Sequence, residues 1–342
     1  MQGTEDILGH RAVIDRLWAA LSRDALHHAY LFEGPSGLGK HLVARRLAMA
    51  ANCEAVDADG VDPARHPCGV CPSCRAILRG EHADVIELGP DPDKKTPTIT
   101  VSQVREVVRQ VGYHRYTGRR RVVIVDPAEA MAAPAANALL KTLEEPPEGT
   151  GFILVAHSAS SLLPTIVSRC QRVRFAAVPV EALEGWLQDN GHADGPILAR
   201  LALGRPGAAL ALSDGGLDAR RALRDQVIRH IERGDLGDLF ELSKGICAGD
   251  RQAWLVEVER VLELLEDGLR DAVVVASGEP VELLDGEASD QAARWADALW
   301  PTGIARLQQS LEDARAGLAR NASGRVVLDA LFLRFSSELG RL

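Results

Sequence analysis

The stretch that decides the fold is Ala29-Tyr30-Leu31-Phe32-Glu33-Gly34-Pro35-Ser36-Gly37-Leu38-Gly39-Lys40-His41. Its first five residues predict a short buried strand, its glycines a tight turn, and the residues from Lys40 to Asn52 a helix. Gly34, Gly39 and Lys40 satisfy the spacing G-x-x-x-x-G-K, which carries meaning only between a strand and a helix, the place it occupies. Glycines at 34, 37 and 39 let successive backbone N–H groups turn toward phosphate oxygens. The helix adds the positive end of its dipole, and Lys40 would neutralise phosphate charge. The alternative is a chance glycine turn, and the flanking strand and helix weigh against it.

Outward from this loop, Asp84–Leu88, Arg121–Asp126, Gly151–Ala156 and Gln171–Phe175 read as further strands, with a helix over Val101–Val111 between two of them. The unbroken β-branched run in Arg121–Asp126 suits a strand buried on both faces of a parallel sheet. Strand–helix alternation predicts a doubly wound α/β domain over residues 1–176. Strand signals then stop. Residues 177–214 read as a small helical unit with a turn at Gly204-Arg205-Pro206-Gly207, and 215–342 as an all-helical domain. There Val258, Val261, Leu262 and Leu265 share one helical face, while Gly278-Glu279-Pro280 and Asp285–Asp290 read as breaks between helices.

The 342 residues are 46% hydrophobic and 25% charged, an ordinary folded composition of two or three domains. Thirty-nine basic against 48 acidic residues give a net charge of −9, which excludes a binder held to nucleic acid by bulk positive charge. The basic stretch Arg105, Arg109, His114, Arg115, Arg119, Arg120, Arg121 could still meet DNA phosphate, though a solvated helix and loop fits it equally well. No apolar run reaches the ~18–20 residues of a membrane span. The acidic Met1-Gln2-Gly3-Thr4-Glu5-Asp6 does not resemble a secretion signal, so a cytoplasmic location is expected.

Two positions depart from an ATP-hydrolysing phosphate loop. After the lysine, a serine or threonine normally holds Mg²⁺; here stands His41, a poor match for a hard cation. Asp126 ends the third strand where a metal-orienting acid belongs, but Pro127 follows it instead of a general-base glutamate, and Glu129 comes two positions too late. Both departures argue against efficient hydrolysis, and they leave open whether the loop binds ATP or ADP without turnover.

Cys53, Cys68, Cys71 and Cys74 form C-x14-C-x2-C-x2-C, a spacing that lets four thiolates close a structural Zn²⁺ site. Pro67, Gly69 and Pro72 suit the tight turn this needs, and His66 is a substitute ligand in reserve. Four free thiols are the alternative. Cys170 and Cys247 stand apart and read as buried apolar residues.

From His10 to Phe175 the sequence resembles the AAA+ clamp-loader subunits of bacterial replicases. The likeness rests on His28-Ala29-Tyr30-Leu31-Phe32 leading into the loop, on the four-cysteine insertion, and on His82-Ala83-Asp84-Val85-Ile86-Glu87. It continues through Asn137-Ala138-Leu139-Leu140-Lys141-Thr142-Leu143-Glu144-Glu145-Pro146-Pro147 to Ser168-Arg169-Cys170. The resemblance implies an AAA+ domain (1–176, zinc module at 53–74), a helical lid (177–214) and an oligomerising helical collar (215–342). In this family the gamma/tau type hydrolyses ATP, whereas another type keeps the Ser-Arg-Cys element beside a degenerate site, the combination seen here. A sensor arginine of the gamma/tau type would fall near Gly207, and His157 lies where the family has a polar nucleotide sensor.

The resemblance also gives Arg169 a role as an arginine finger acting in trans on a neighbouring subunit's ATP. The implied partners are the gamma/tau and delta subunits, the sliding clamp and primer-template DNA within the complex, and no membrane. Two other readings stay open: an ATP-hydrolysing gamma/tau-type subunit, and a zinc-dependent nucleic-acid binding module.

Overall fold

A computed structural model of the protein describes residues 7–57, 67–90, 98–113, 116, 118–279 and 281–341. His66, His114, Arg115 and the first six residues lie outside them. The chain divides into two compact units, Met1–Gly195 with Ala202–Leu210, and Pro196–Leu201 with Ala211–Leu342.

The first unit holds a five-stranded sheet in the order β2-β3-β4-β1-β5, with every pairing parallel. Its strands are β1 (Ala29–Glu33), β2 (Val85–Leu88), β3 (Arg121–Val125), β4 (Thr150–Ala156) and β5 (Gln171–Arg174). The helices between them are α1 (Arg11–Ser22), α2 (Lys40–Asn52), α3 (Pro72–Leu78), α4 (Val101–Val111), α5 (Ala133–Glu144) and α6 (Pro164–Val167). Side chains of a strand alternate between faces, and here the alternation builds two cores. Tyr30, Phe32, Val122, Ile124, Ile153 and Val155 pack with Trp18, Val43, Leu47 and Ile77 on one side. Leu31, Val123, Val125, Phe152 and Leu154 pack with Val104, Val107, Leu139 and Leu143 on the other. This is why the β-branched run of β3 is apolar at every position, as expected of a strand covered on both faces. Helix α4 starts where the sequence expects because Thr100 and Gln103 form a reciprocal capping box.

The order of the sheet reverses about β1, which has β4 on one flank and β5 on the other. In open parallel sheets such a reversal leaves a crevice beyond the carboxyl ends of the strands. Register brings those ends together: Glu33 is level with Ala156, and Val125 with Leu154. The glycine loop therefore emerges beside Asp126 and His157, and Gly34 N–H donates to His157 O at 3.1 Å.

Helices α7 (Val180–Asp189), α8 (Gly195–Leu201) and α9 (Pro206–Ser213) follow, with the expected turn at Gly204–Gly207 between the last two. The second unit contains α10 (Gly216–Arg233), α11 (Leu236–Ile246), α12 (Arg251–Ser277), α13 (Ser289–Leu299), α14 (Thr302–Ala319) and α15 (Gly324–Glu338). Val258, Val261, Leu262 and Leu265 of α12 are wholly buried, as their spacing predicts. They meet Trp295, Leu307, Leu311, Phe332 and Phe335 in one core. Among the described residues no helix is long and apolar enough to cross a membrane.

Candidate functional site

The loop between β1 and α2 has the backbone that its glycines predict. Gly34, Gly37 and Gly39 all have positive φ, at 148°, 81° and 82°. A Cβ on Gly34 would stand 2.4 Å from Phe175 O, and one on Gly37 2.9 Å from the backbone nitrogen of Ala208. Gly39 differs, because a Cβ there would meet nothing within 4 Å, so the space over the start of α2 is open. Gly37 O also accepts from Gly207 N–H at 2.8 Å, which ties the loop to the Gly204–Gly207 turn.

Lys40 is 7% exposed, and its Nζ donates to the loop's own carbonyls, Gly34 O at 2.5 Å and Pro35 O at 2.6 Å. Burial pulls its pKa below the ordinary lysine value, against the carboxylates of Asp126 and Glu129. Glu129 thus faces the loop despite its late position. Its Oε1 accepts from His157 N–H at 3.1 Å, an orientation that leaves His157 contributing backbone to this contact.

His41 decides what the site can do. Its Nδ1 lies 2.8 Å from Asp126 Oδ2 and its Nε2 3.4 Å from Glu87 Oε2, while Arg45 Nε lies 2.8 Å from Glu87 Oε1. The imidazole therefore sits on the carboxylate that a divalent metal would need, and it is itself a poor ligand for Mg²⁺. The loop fits a phosphate group, but the metal position does not fit Mg²⁺. Glu87 and Arg45 were not singled out in the sequence, where nothing marks their convergence on position 41.

The four cysteines converge as their spacing predicts. Sγ atoms of Cys53, Cys68, Cys71 and Cys74 all lie within 4.8 Å of one another. A tetrahedral zinc with Zn–S bonds of about 2.3 Å would bring them to about 3.8 Å, a small inward adjustment. Cys71 caps α3, and Cys74 N–H donates to Cys71 Sγ at 3.4 Å, as Cys71 N–H does to Cys68 Sγ. Burial pushes the thiols of Cys53 and Cys74 up. Against that same burial, N–H donors from Val70 and Cys71 help hold Cys68 near about 7. Behind the cluster, Ser73 N–H donates to Glu54 Oε1 at 3.0 Å, and Ser73 Oγ lies 3.0 Å from His82 Nε2. Cys170 and Cys247 are half-buried beside the two apolar cores, and burial pushes Cys170 up to about 12.

Arg169 stands just after α6 and before β5, at the end of the sheet's last connection. Its Nη1 donates to Thr165 O at 2.7 Å, and its Nη2 meets the Glu144 carboxylate. Glu144 is the last residue of α5, and the sequence held no signal pairing it with Arg169.

Within the basic stretch Arg121 is buried and Arg120 half-buried, while Arg105, Arg109 and Arg119 are exposed. Arg121 and Asp84 form a buried ion pair at 2.8 Å, and Arg121 Nη1 donates to the carbonyls of Gln110 and Tyr113. Asp84 Oδ2 accepts from the N–H groups of Tyr116 and Gly118. Arg120 pairs with Asp24, and Arg109 with Glu106. His27 and His28 stack on each other, and His27 Nδ1 lies 2.7 Å from Ala29 O. They are structural.

Comparison with known proteins agrees with this picture. The family model described as DNA polymerase III, delta subunit, matches residues 9–179, half of the chain. The tau subunit of DNA polymerase III from Escherichia coli is 34% identical over 299 residues, which is 85% of this chain and 41% of that protein. The delta' subunit from Pseudomonas aeruginosa is 38% identical over 222 residues, 64% of either chain. The Escherichia coli delta' subunit is 34% identical over 250 residues, 72% of either chain. The chain thus spans less than half the length of its tau relative and about two thirds of its delta' relatives. It belongs to the DNA polymerase III delta subunit family of clamp-loader proteins.

Proposed function

We propose that the chain is a delta'-type subunit of the DNA polymerase III clamp loader. In this reading it is a non-hydrolysing AAA+ subunit that supplies Arg169 to ATP bound by a neighbouring tau/gamma-type subunit, while the sliding clamp is loaded onto primed DNA. The observation that carries the reading is His41 seated on Asp126, with Pro127 where a general base would stand. A hydrolysing site needs a metal held by that acid and a carboxylate to direct water; here His41 lies on the acid, and Glu129, the carboxylate that faces the loop, accepts from His157 N–H. Arg169, beside the edge strand of the sheet, has a chemistry that does not require this chain's own nucleotide. Phosphoryl transfer spreads charge over the transferred group, and a guanidinium from outside the site stabilises it.

The remaining assignments follow from that reading. Residues 1–176 form the AAA+ domain, 177–214 the lid and 215–342 the oligomerising collar. Gly34, Gly37, Gly39 and Lys40 would cradle the phosphates of ATP or ADP without turnover. Cys53, Cys68, Cys71 and Cys74 would hold Zn²⁺, which supplies four bonds that staple the segment after α2 to α3. Partners are the tau/gamma and delta subunits, the clamp and primer-template DNA, in the cytoplasm.

ATP hydrolysis by the reconstituted loader tests the proposal. Arg169→Ala should lower turnover at the adjoining site by about 10³-fold while leaving this chain folded. An unchanged DNA-stimulated rate would remove the assignment. The purified chain alone should release no phosphate, with or without Lys40→Ala; release abolished by that substitution would instead make it a hydrolysing subunit.

A further inference from the structure

The contacts of Arg169 divide into local and distant ones. Thr165 O and Ser168 Oγ, 2.7 and 3.4 Å from Nη1, belong to the same short turn and travel with the arginine. Glu144 lies 25 residues away in sequence and binds Nη2 from another element. That element is firmly placed, because Ala135, Ala136, Leu139 and Leu143 of α5 are buried against the sheet. Glu144 is therefore the group that references the guanidinium to the body of the domain. A guanidinium carries five N–H donors, and these three contacts leave some of them for a second oxyanion.

We infer that Glu144 is a positioning residue for Arg169. Its carboxylate holds the guanidinium in one orientation before the neighbouring subunit's triphosphate reaches it. The inference rests on the reading of Arg169 as acting in trans. A free arginine would have to lose its rotamer freedom at each encounter, whereas a pre-ordered one has lost it on folding. The pair does not hold the arginine back. The side chains of Arg169 and Glu144 are 31% and 46% exposed, and a pair so open to water is weak beside the multiple charges of a triphosphate.

The test is a double-mutant cycle on the reconstituted loader, with kcat and KM for ATP measured separately. Glu144→Ala should lower kcat about tenfold with KM unchanged, because a small misplacement of a transition-state group costs rate rather than binding. Glu144→Gln, which keeps an acceptor oxygen, should retain most of the rate. In the Arg169→Ala background the Glu144→Ala change should have less than about a twofold effect, since the two act as one unit. Equal losses in both backgrounds, or failure of the Ala and Gln variants to assemble, would show a merely structural glutamate and overturn the inference. A slow Arg169→Ala complex beside an unaltered Glu144→Ala complex would overturn it while leaving the finger intact. A normal Arg169→Ala complex would overturn the finger and this inference together.

Discussion

Asp84→Asn is the substitution that probes most directly how the fold holds Arg121, the buried member of the basic stretch. Asp84 is fully buried and Arg121 is 2% exposed. The carboxylate accepts from Arg121 Nη2 at 2.8 Å, Arg121 Nε at 3.2 Å, Tyr116 N–H at 3.0 Å and Gly118 N–H at 2.8 Å. An amide of the same shape removes the charge and leaves a buried guanidinium uncompensated, which costs about 3–5 kcal/mol. With a urea m-value of about 2 kcal/mol/M, that lowers the midpoint of the first unit by about 2 M. The chain has two compact units, so the readout must be local. Hydrogen exchange against urea, followed by mass spectrometry on peptides covering β2 and β3, supplies it. The double substitution Asp84→Asn with Arg121→Met should recover much of the loss, because the penalty comes from the unpaired charge rather than from the missing pair. A midpoint shift below about 0.5 M, or a double variant as weak as the sum of its parts, would refute the reasoning.

Two further outcomes concern the metal and pH. The purified protein should carry about one zinc per chain, and Cys74→Ser should lose it and lower the melting temperature of the first unit by about 10 °C. A metal-free wild-type chain of unchanged stability would count against the site. In the second unit, burial and the acids Asp271, Glu263 and Glu266 outweigh Arg220 and push Asp267 up to about 6. The folded state then holds this proton more tightly than the unfolded state does between about pH 4 and 6. Stability therefore falls as pH rises through that window, by about 3 kcal/mol at about 1.4 kcal/mol per pH unit. Asp267→Asn should remove that part of the slope in thermal melts taken from pH 4 to 7, and an identical slope would contradict the assignment.

Much of the first unit was legible because its signals are local. Helices α2 and α4 begin and end at the residues that the sequence predicts, since a glycine turn starts one and a Thr-Gln capping box the other. Strand β3 reads correctly because burial on both faces leaves no polar position in its centre. The strand ends are where reading and structure differ by a residue: Asp84, Asp126 and Phe175 lie just beyond the strands, though each still shares a backbone hydrogen bond with the neighbouring strand. The side chain of Asp84 serves Arg121, and that of Asp126 meets His41. Both are polar side chains claimed by partners distant in sequence.

By itself, the sequence determined which chemistry could be present: a glycine loop with lysine, four cysteines at metal spacing, and an arginine between serine and cysteine. These are patterns within a few residues, set by backbone geometry and side-chain type. Only the tertiary structure decided which partner each charge takes. Asp126 is held by His41, Arg121 is buried on Asp84, and Arg169 is referenced to the body of the domain by Glu144. Those pairings join residues 25 to 85 positions apart, and no local pattern encodes them. They exist because parallel strands and their crossover helices bring distant segments together at the two ends of the sheet, where each buried or half-buried charge must find an opposite one.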